Sequence, residues 1–308
     1  MASTDLTKKL LARFDRLSGQ RQNWETHWQE VADYMLPRKA DVTKQRSRGD
    51  KRMELIFDSS PLQALELLAA SLHGMLTNPS TPWFTLRFKQ AEAENDEEAK
   101  IWLEAATEVM YTAFNRSNFQ QEIFELYHDL ITFGTAAMFV EEDEEDLIKF
   151  STRHIDEVYI AENDKGRIDT IYRKFKLSAR AIVQKFGESV SQDILTMEKK
   201  DPYQEIEIIH AVYPRSDFNP KKQDKQNMPF ESVYMEYKNK NELSVSGFKE
   251  FPFVVPRYLK ASHEIYGRSP AMTALPDVKM LNEMSKTTIK AAQKQVDPPL
   301  LVPDDGFL

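Results

Sequence analysis

Cysteine is absent from this 308-residue sequence, which removes disulfides, thiolate metal sites and cysteine nucleophiles from consideration and fits a reducing compartment. Glycine is scarce, with nine in all, which disfavours glycine-loop nucleotide folds and suggests long helices. No apolar run approaches the roughly 18 residues needed to span a bilayer, and "MASTDLTKKLLARFDRLS" is amphipathic rather than built like a signal peptide. There is no G-x-x-x-x-G-K-[ST], no G-x-G-x-x-G and no H-E-x-x-H. The six histidines (His27, His73, His128, His154, His210 and His263) are scattered, none at ligand spacing from another. A basic excess is lacking too. Lys and Arg total 41 against 49 Asp and Glu, a net charge of −8, which argues against a dedicated nucleic-acid-binding face but leaves local basic patches open.

What the chain does have is helical periodicity followed by strands. Leu6, Leu10, Phe14 and Leu17 recur at helical spacing, and after a soft spot at Ser18-Gly19 the pattern resumes through Trp24, Trp28, Val31 and Met35 to stop at Pro37. The apolar density of residues 58–77 predicts a buried helix with Ser60 as N-cap and Pro61 at its first position. Residues 95–115 and "NFQQEIFELYHDLITFG" (118–134) predict two more, the second ending at Gly134. "PWFTLRF" (82–88) reads as a short strand.

Beyond Gly134 the texture changes. "AAMFVEEDEEDLIKFSTRHI" predicts two strands joined by an acidic turn, and "VYIAENDKGRIDTIYRKFKL" a hairpin across Asp164-Lys165-Gly166. "SARAIVQKFG" (178–187) reads as a short helix, and 203–214, 231–238, 242–248 and 251–259 as strands. The fold class is α+β: helices first, then an antiparallel β-rich part, then one last helix.

Few residues point to chemistry. "EEDEED" (141–146) offers oxygen ligands for a hard cation, but lacks the ligand spacing and turn glycine of a calcium loop, so a solvated hairpin tip is the better reading. Residues 38–52 carry seven cations (Arg38, Lys39, Lys44, Arg46, Arg48, Lys51 and Arg52) and two acids. They read as a mobile basic loop, suited either to phosphate or to ordering against a neighbouring subunit. The four tryptophans read as core or interface residues, and His73 and His128 as helix–helix contacts. No catalytic residue, metal or cofactor is expected.

The final helix is more informative. Ser269-Pro270 starts a helical turn, and Pro276 restarts it because proline suits a first turn and breaks an interior one. Val278, Leu281, Met284, Ile289, Ala292 and Val296 form an interrupted apolar stripe. Lys279, Lys286, Lys290 and Lys294 fall within about 80° of one another on one face. So polar a helix, with so thin a seam, calls for a second helix from its own chain or a neighbour. The lysines themselves read equally as an ordinary solvated face.

"YGRSPAMTALPDVKMLNEM" resembles the entry to the stem helix of portal proteins, the head-to-tail connectors of short-tailed bacteriophages. "LAASLHGMLTNPSTPWFTLRF", "LYHDLITFGTAAMFVEED" and "YIAENDKGRIDTIYRKFKLSARAI" resemble further passages of that family, in the same order, across roughly residues 5–305. The resemblance implies a wing domain over 1–268, a descending stem helix over 269–297 and the start of a clip domain over 298–308. It implies a homo-oligomeric ring, usually of twelve subunits, at a capsid vertex in the virion, assembled in the host cytoplasm. Double-stranded DNA would pass through the channel, with terminase docking first and tail or adaptor proteins later. In the family the chain continues past this point into the rest of the clip, a second stem helix and a crown, so a partial chain is expected. The four stem lysines would face the channel or the inter-subunit space. Another virion structural or adaptor protein is the alternative, and a metal-dependent phosphodiesterase using "EEDEED" a remote one.

Overall fold

A computed structural model of the protein describes residues 2–44, 46–47, 49–88, 97–219, 221–222, 224 and 227–299. Most of the segment expected to begin the clip, 300–308, therefore lies outside the described residues. The chain opens with a single 34-residue helix, α1 (Ala2–Met35), which runs through Gly19 without interruption. Pro37 starts a 3-10 turn, Pro37–Lys39, that ends it. Leu10, Leu11 and Phe14 near its start pack on one sheet, while Trp28, Val31 and Met35 near its end belong to the main core. Between them Arg21 is buried and donates to the carbonyl oxygens of Ile155, Asp156 and Val158. A buried guanidinium persists there because its fixed fork meets several acceptors at once.

Helix α2 (Ser60–Leu76) begins one residue earlier than expected, with Ser59 at the N-cap position and Asp58 Oδ1 accepting from the Ser60 N–H at 2.8 Å. The expectation of a buried helix is corrected. Only Leu65 and Ala69 are buried, and Leu67 and Met75 are 70% and 80% exposed. The strand expected at 82–88 is also absent. That segment is extended, but helix side chains take the place of a partner strand. The Tyr111 hydroxyl accepts from the Trp83 and Phe84 N–H groups and donates to the Phe84 carbonyl, and Thr107 accepts from Leu86. Those side chains sit on α3 (Glu97–Arg116), which is followed by α4 (Phe119–Phe133).

Among the described residues all strand pairing is antiparallel. Strands β1 (Ala137–Asp143) and β2 (Leu147–Arg153) form the expected acidic hairpin, and β8 (Phe253–Val254) adds on β1 to give the order β2-β1-β8. The strand expected over 251–259 shrinks to these two residues, flanked by Pro252 and Pro256, which have no N–H to give a ladder. The second sheet is a five-stranded meander: β3 (Val158–Glu162), β4 (Ile168–Ser178), β5 (Glu205–Pro214), β6 (Phe230–Glu236) and β7 (Glu242–Phe248). In the β3–β4 turn Asn163, rather than Asp164, accepts from the Lys165 and Arg167 N–H groups. Gly166 supplies the positive φ of 71°.

Alternation along β5 divides the meander's two faces. Ile209, Ala211 and Tyr213 meet α1, while Ile208 meets α5 (Ala179–Phe186) and α6 (Gln192–Lys200). Helix α6 is not expected from the sequence. It is nine residues long with one buried residue, Ile194, so its periodic signal is short. Among the described residues, no helix is long and apolar enough to cross a membrane.

The chain's last described element is α7 (Pro270–Val296), one continuous helix of 27 residues, about 40 Å long. Ser269 caps it by accepting from the Met272 N–H at 2.9 Å. The expected break at Pro276 is corrected: the helix runs through it. Ala271, Met272 and Leu275 before the proline are seated in the main core and Val278 after it packs against that core, and this packing outweighs the bond the proline removes.

Candidate functional site

Helix α7 grows from a socket made by two glycines. Gly134 ends α4 in the left-handed region with φ 75°. A Cβ placed on it would lie 2.3 Å from the Gly267 carbonyl oxygen, and a Cβ on Gly267 would lie 2.3 Å from the Gly134 oxygen. Around this contact the Thr135 hydroxyl accepts from the Gly267 N–H at 2.8 Å, and Ser269 Oγ donates to the Thr132 carbonyl at 2.8 Å. Tyr266 packs edge-on to Trp28, with ring centroids 5.1 Å apart. The root of α7 is thus bound to the end of α4 by backbone contact that only glycine permits.

A second clamp lies further along. Asn282 is buried; its Oδ1 accepts from the N–H groups of Phe57 and Asp58, and its Nδ2 donates to the Leu55 carbonyl at 2.8 Å. The buried face of α7 therefore runs through Ala271, Met272, Leu275 and Asn282. It is not the apolar stripe expected from sequence, since Leu281, Met284, Ile289 and Val296 are exposed. With Asn282 at about −60° relative to Lys279, Met280, Leu281 and Met284 lie between about 100° and 200°, facing away from the chain's own core. From Thr287 to Val296 every residue is exposed, about 15 Å of helix without packing among the described residues.

The four lysines border the buried face. Lys279 pairs with Glu30 of α1, and Lys286 pairs with Glu283 at 3.2 Å and lies 5.7 Å from the centre of the Phe57 ring. Lys290 and Lys294 stand on the unpacked turns. The glutamate beside Lys279 draws that ammonium's pKa above its ordinary value.

The basic loop is not the loose segment expected. The Gln29 side chain accepts from the Val42, Thr43 and Lys44 N–H groups and donates to the Ala40 carbonyl, folding the loop onto α1. Its cations meet acids of the same chain. Lys44 and Arg46 pair with buried Asp33 at 2.7 and 3.3 Å, and Arg52 with Asp41. Arg38 and Lys39 pair with Glu125, and Lys39 also with buried Asp129. Lys51 is exposed, and Arg48 lies outside the described residues. Burial opposes ionisation of Glu125, yet Lys39 and Arg38 hold its pKa below the usual value. At Asp129 burial prevails over Lys39 and His154, and the carboxyl is pushed up. Composition hid most of this arrangement because Asp33 lies on α1 and Glu125 and Asp129 lie on α4.

Of the other residues singled out, His73 meets Gln120 at 2.9 Å and His128 meets Glu66 at 2.8 Å, both tying α4 to α2 as expected. "EEDEED" forms the β1–β2 tip, where Asp143 accepts from the Asp146 N–H at 3.0 Å.

Comparison with known proteins decides the kinship. The family described as bacteriophage head to tail connecting protein matches residues 7–308. This chain belongs to that family. It is 34% identical over 308 residues to the "Probable portal protein" of Bordetella phage BPP-1, covering 98% of this chain and 56% of the relative. It is 33% identical over 309 residues to the "Portal protein" of Salmonella phage epsilon15, covering 98% and 55%. The chain spans about half the length of these relatives. Two of the passages that carry the resemblance, those around Gly134 and Gly267, are the ones that form the socket. Gln29, Asp33 and Asn282 were missed in sequence. The available signal at Asn282 was a polar residue lying on the face that Leu275 and Val278 begin.

Proposed function

We propose that the protein is the wing and descending stem of a phage portal, a ring-forming, DNA-conducting structural protein of the virion without catalytic machinery. Residues 1–268 serve as the wing, 269–297 as the stem helix and 298–308 as the entry to the clip. The ring, of twelve subunits as the resemblance implies, sits at the capsid vertex and meets terminase and later tail or adaptor proteins. One observation carries the reading: α7 is anchored firmly at its root yet leaves its distal turns, and the apolar Met280, Leu281 and Met284, exposed. Such a helix is stabilised when equivalent helices from neighbouring subunits surround it. Lys290 and Lys294 then face the channel or the space between subunits, and a net charge of −8 favours DNA that slides over DNA that adheres.

Electron microscopy of the purified 308-residue chain at high concentration tests this. A closed ring with a central hole is expected. Monodisperse monomers, or particles of open or non-cyclic symmetry, would overturn it.

A further inference from the structure

A group of cations lies between the two sheets, away from the stem and from the basic loop. Register places it. Across the three-stranded sheet Glu141 opposes Lys149, Phe139 opposes Ser151 and Ala137 opposes Arg153, so Lys149 and Arg153 share a face with Phe139 and Glu141. Across the meander Arg173, His210 and Tyr234 stand in one row on adjacent strands. Lys185 of α5 overhangs that row, 4.7 Å from the centre of the Tyr234 ring.

Four cations therefore converge from β2, β4 and α5, with Glu141 and Glu157 as the acids among them. Glu157 is engaged by Arg173 at 2.7 Å. The cations rest on aromatic faces: Arg173 lies 3.7 Å from the Phe175 ring centre and Arg153 lies 5.8 Å from that of Phe139. Beneath them His210 stacks flat on Tyr234, with centroids 3.9 Å apart, and its Nε2 meets Ser232 Oγ at 2.9 Å. Arg153 Nε is buried and has no hydrogen-bond partner among the described residues. A buried guanidinium donor left unpaired is costly, and a chain with eight excess negative charges has acids to spare elsewhere.

We propose that Arg153, Arg173, Lys185 and Lys149 form a binding site for a phosphate-type oxyanion. The aromatic faces hold the cations apart and in place, and the planar guanidinium of Arg153 supplies the forked donors that phosphate geometry matches. Burial first, and the group's mutual repulsion after it, work against the charged forms of these side chains. Burial, and then the neighbouring Arg173, lowers the pKa of Arg153. Lys185 is lowered by burial despite Glu141, with Arg173, Arg153 and Lys149 adding to it. An anion relieves that repulsion. Free phosphate, a phosphate monoester or a nucleic-acid backbone presents the same oxygens, and the site is independent of ring formation.

The test uses the 308-residue chain and inorganic phosphate, with chloride at matched ionic strength as reference. Calorimetric titration is expected to show saturable phosphate binding together with a phosphate-specific rise in melting temperature. Lys149 is exposed, and Lys185 reaches solvent although its ammonium lies against the Tyr234 ring, so Lys185→Glu and Lys149→Glu keep the fold, and each weakens binding about tenfold or more. No response beyond chloride, or unchanged affinity in both variants, would overturn the site. A 20-base-pair duplex that competes with phosphate and loses affinity in Lys185→Glu assigns the backbone as the source. A duplex that fails to compete assigns a small phosphate ligand.

Discussion

At the residue scale, single side chains and single missing side chains hold the fold's junctions. Gly134→Ala places a methyl group against the Gly267 carbonyl at a positive φ. The left-handed backbone alone costs about 1–2 kcal/mol, and the overlap adds to that. In urea denaturation this variant is expected to lose clearly more stability than Gly166→Ala, which shares a positive φ but meets only the flexible Lys260 ammonium at 3.4 Å. Equal losses would mean that the socket yields. Two histidines give opposite pH signatures. His210, fully buried beneath Arg173, is held well below 6.5 by burial, so the unfolded chain takes up a proton that the native state refuses. Its contribution is present above pH 6.5 and is lost as pH falls below that value. At His154 burial favours the neutral ring, but the hydrogen bond and charge of Asp156, with Asp129, raise it above 6.5. Its contribution is full below pH 6.5 and fades as pH rises through the raised value. Melting curves from pH 5 to 8 are expected to show a shallower acid loss for His210→Phe, and for His154→Gln no gain in stability between neutral pH and pH 6.

At the element scale, α7 is two helices in energetic terms. Its first four to five turns are held by the socket and by Asn282, and its last three by their own hydrogen bonds alone. Amide exchange is expected to be slow over 271–286 and fast over 288–296 in the monomer, with protection of the latter appearing in the proposed ring. Uniform protection in the monomer would contradict the packing described. The same element shows what periodicity can and cannot reveal. Its existence and its end at Val296 were legible from spacing, but its continuity through Pro276 and which face is buried were not. Asn282 is buried because the loop at 55–58 offers it backbone partners, while Leu281 and Met284 find none. The basic loop misled for a like reason: Asp33, Glu125 and Asp129, which neutralise it, lie on two helices that its own composition does not include.

At the scale of the whole molecule, α1 is the tie. Its first half covers the tyrosine-rich face of the meander through Phe14, its middle caps three carbonyls through Arg21, and its second half enters the main core through Trp28. Chemical denaturation is accordingly expected to be one cooperative transition, with tryptophan fluorescence and circular dichroism coinciding. Phe14→Ala should lower stability by about 3–5 kcal/mol, as for other buried aromatic truncations. Two separated transitions in the wild-type chain would show that α1 does not couple the two cores.

Local chemistry was enough to specify most elements. Gly134, Gly166, Ser178 and Pro37 start or stop structure through backbone geometry and caps that act within a few residues. The acidic hairpin and the order of helices and strands followed from periodicity in the same way. Long-range proximity was settled by folding alone. The approach of Gly134 to Gly267, the pairing of Lys39 with Asp129 and the meeting of Arg153 with Arg173 and Lys185 each join residues distant along the chain. Their energies depend on burial and on which charge lies opposite, quantities a linear pattern does not carry.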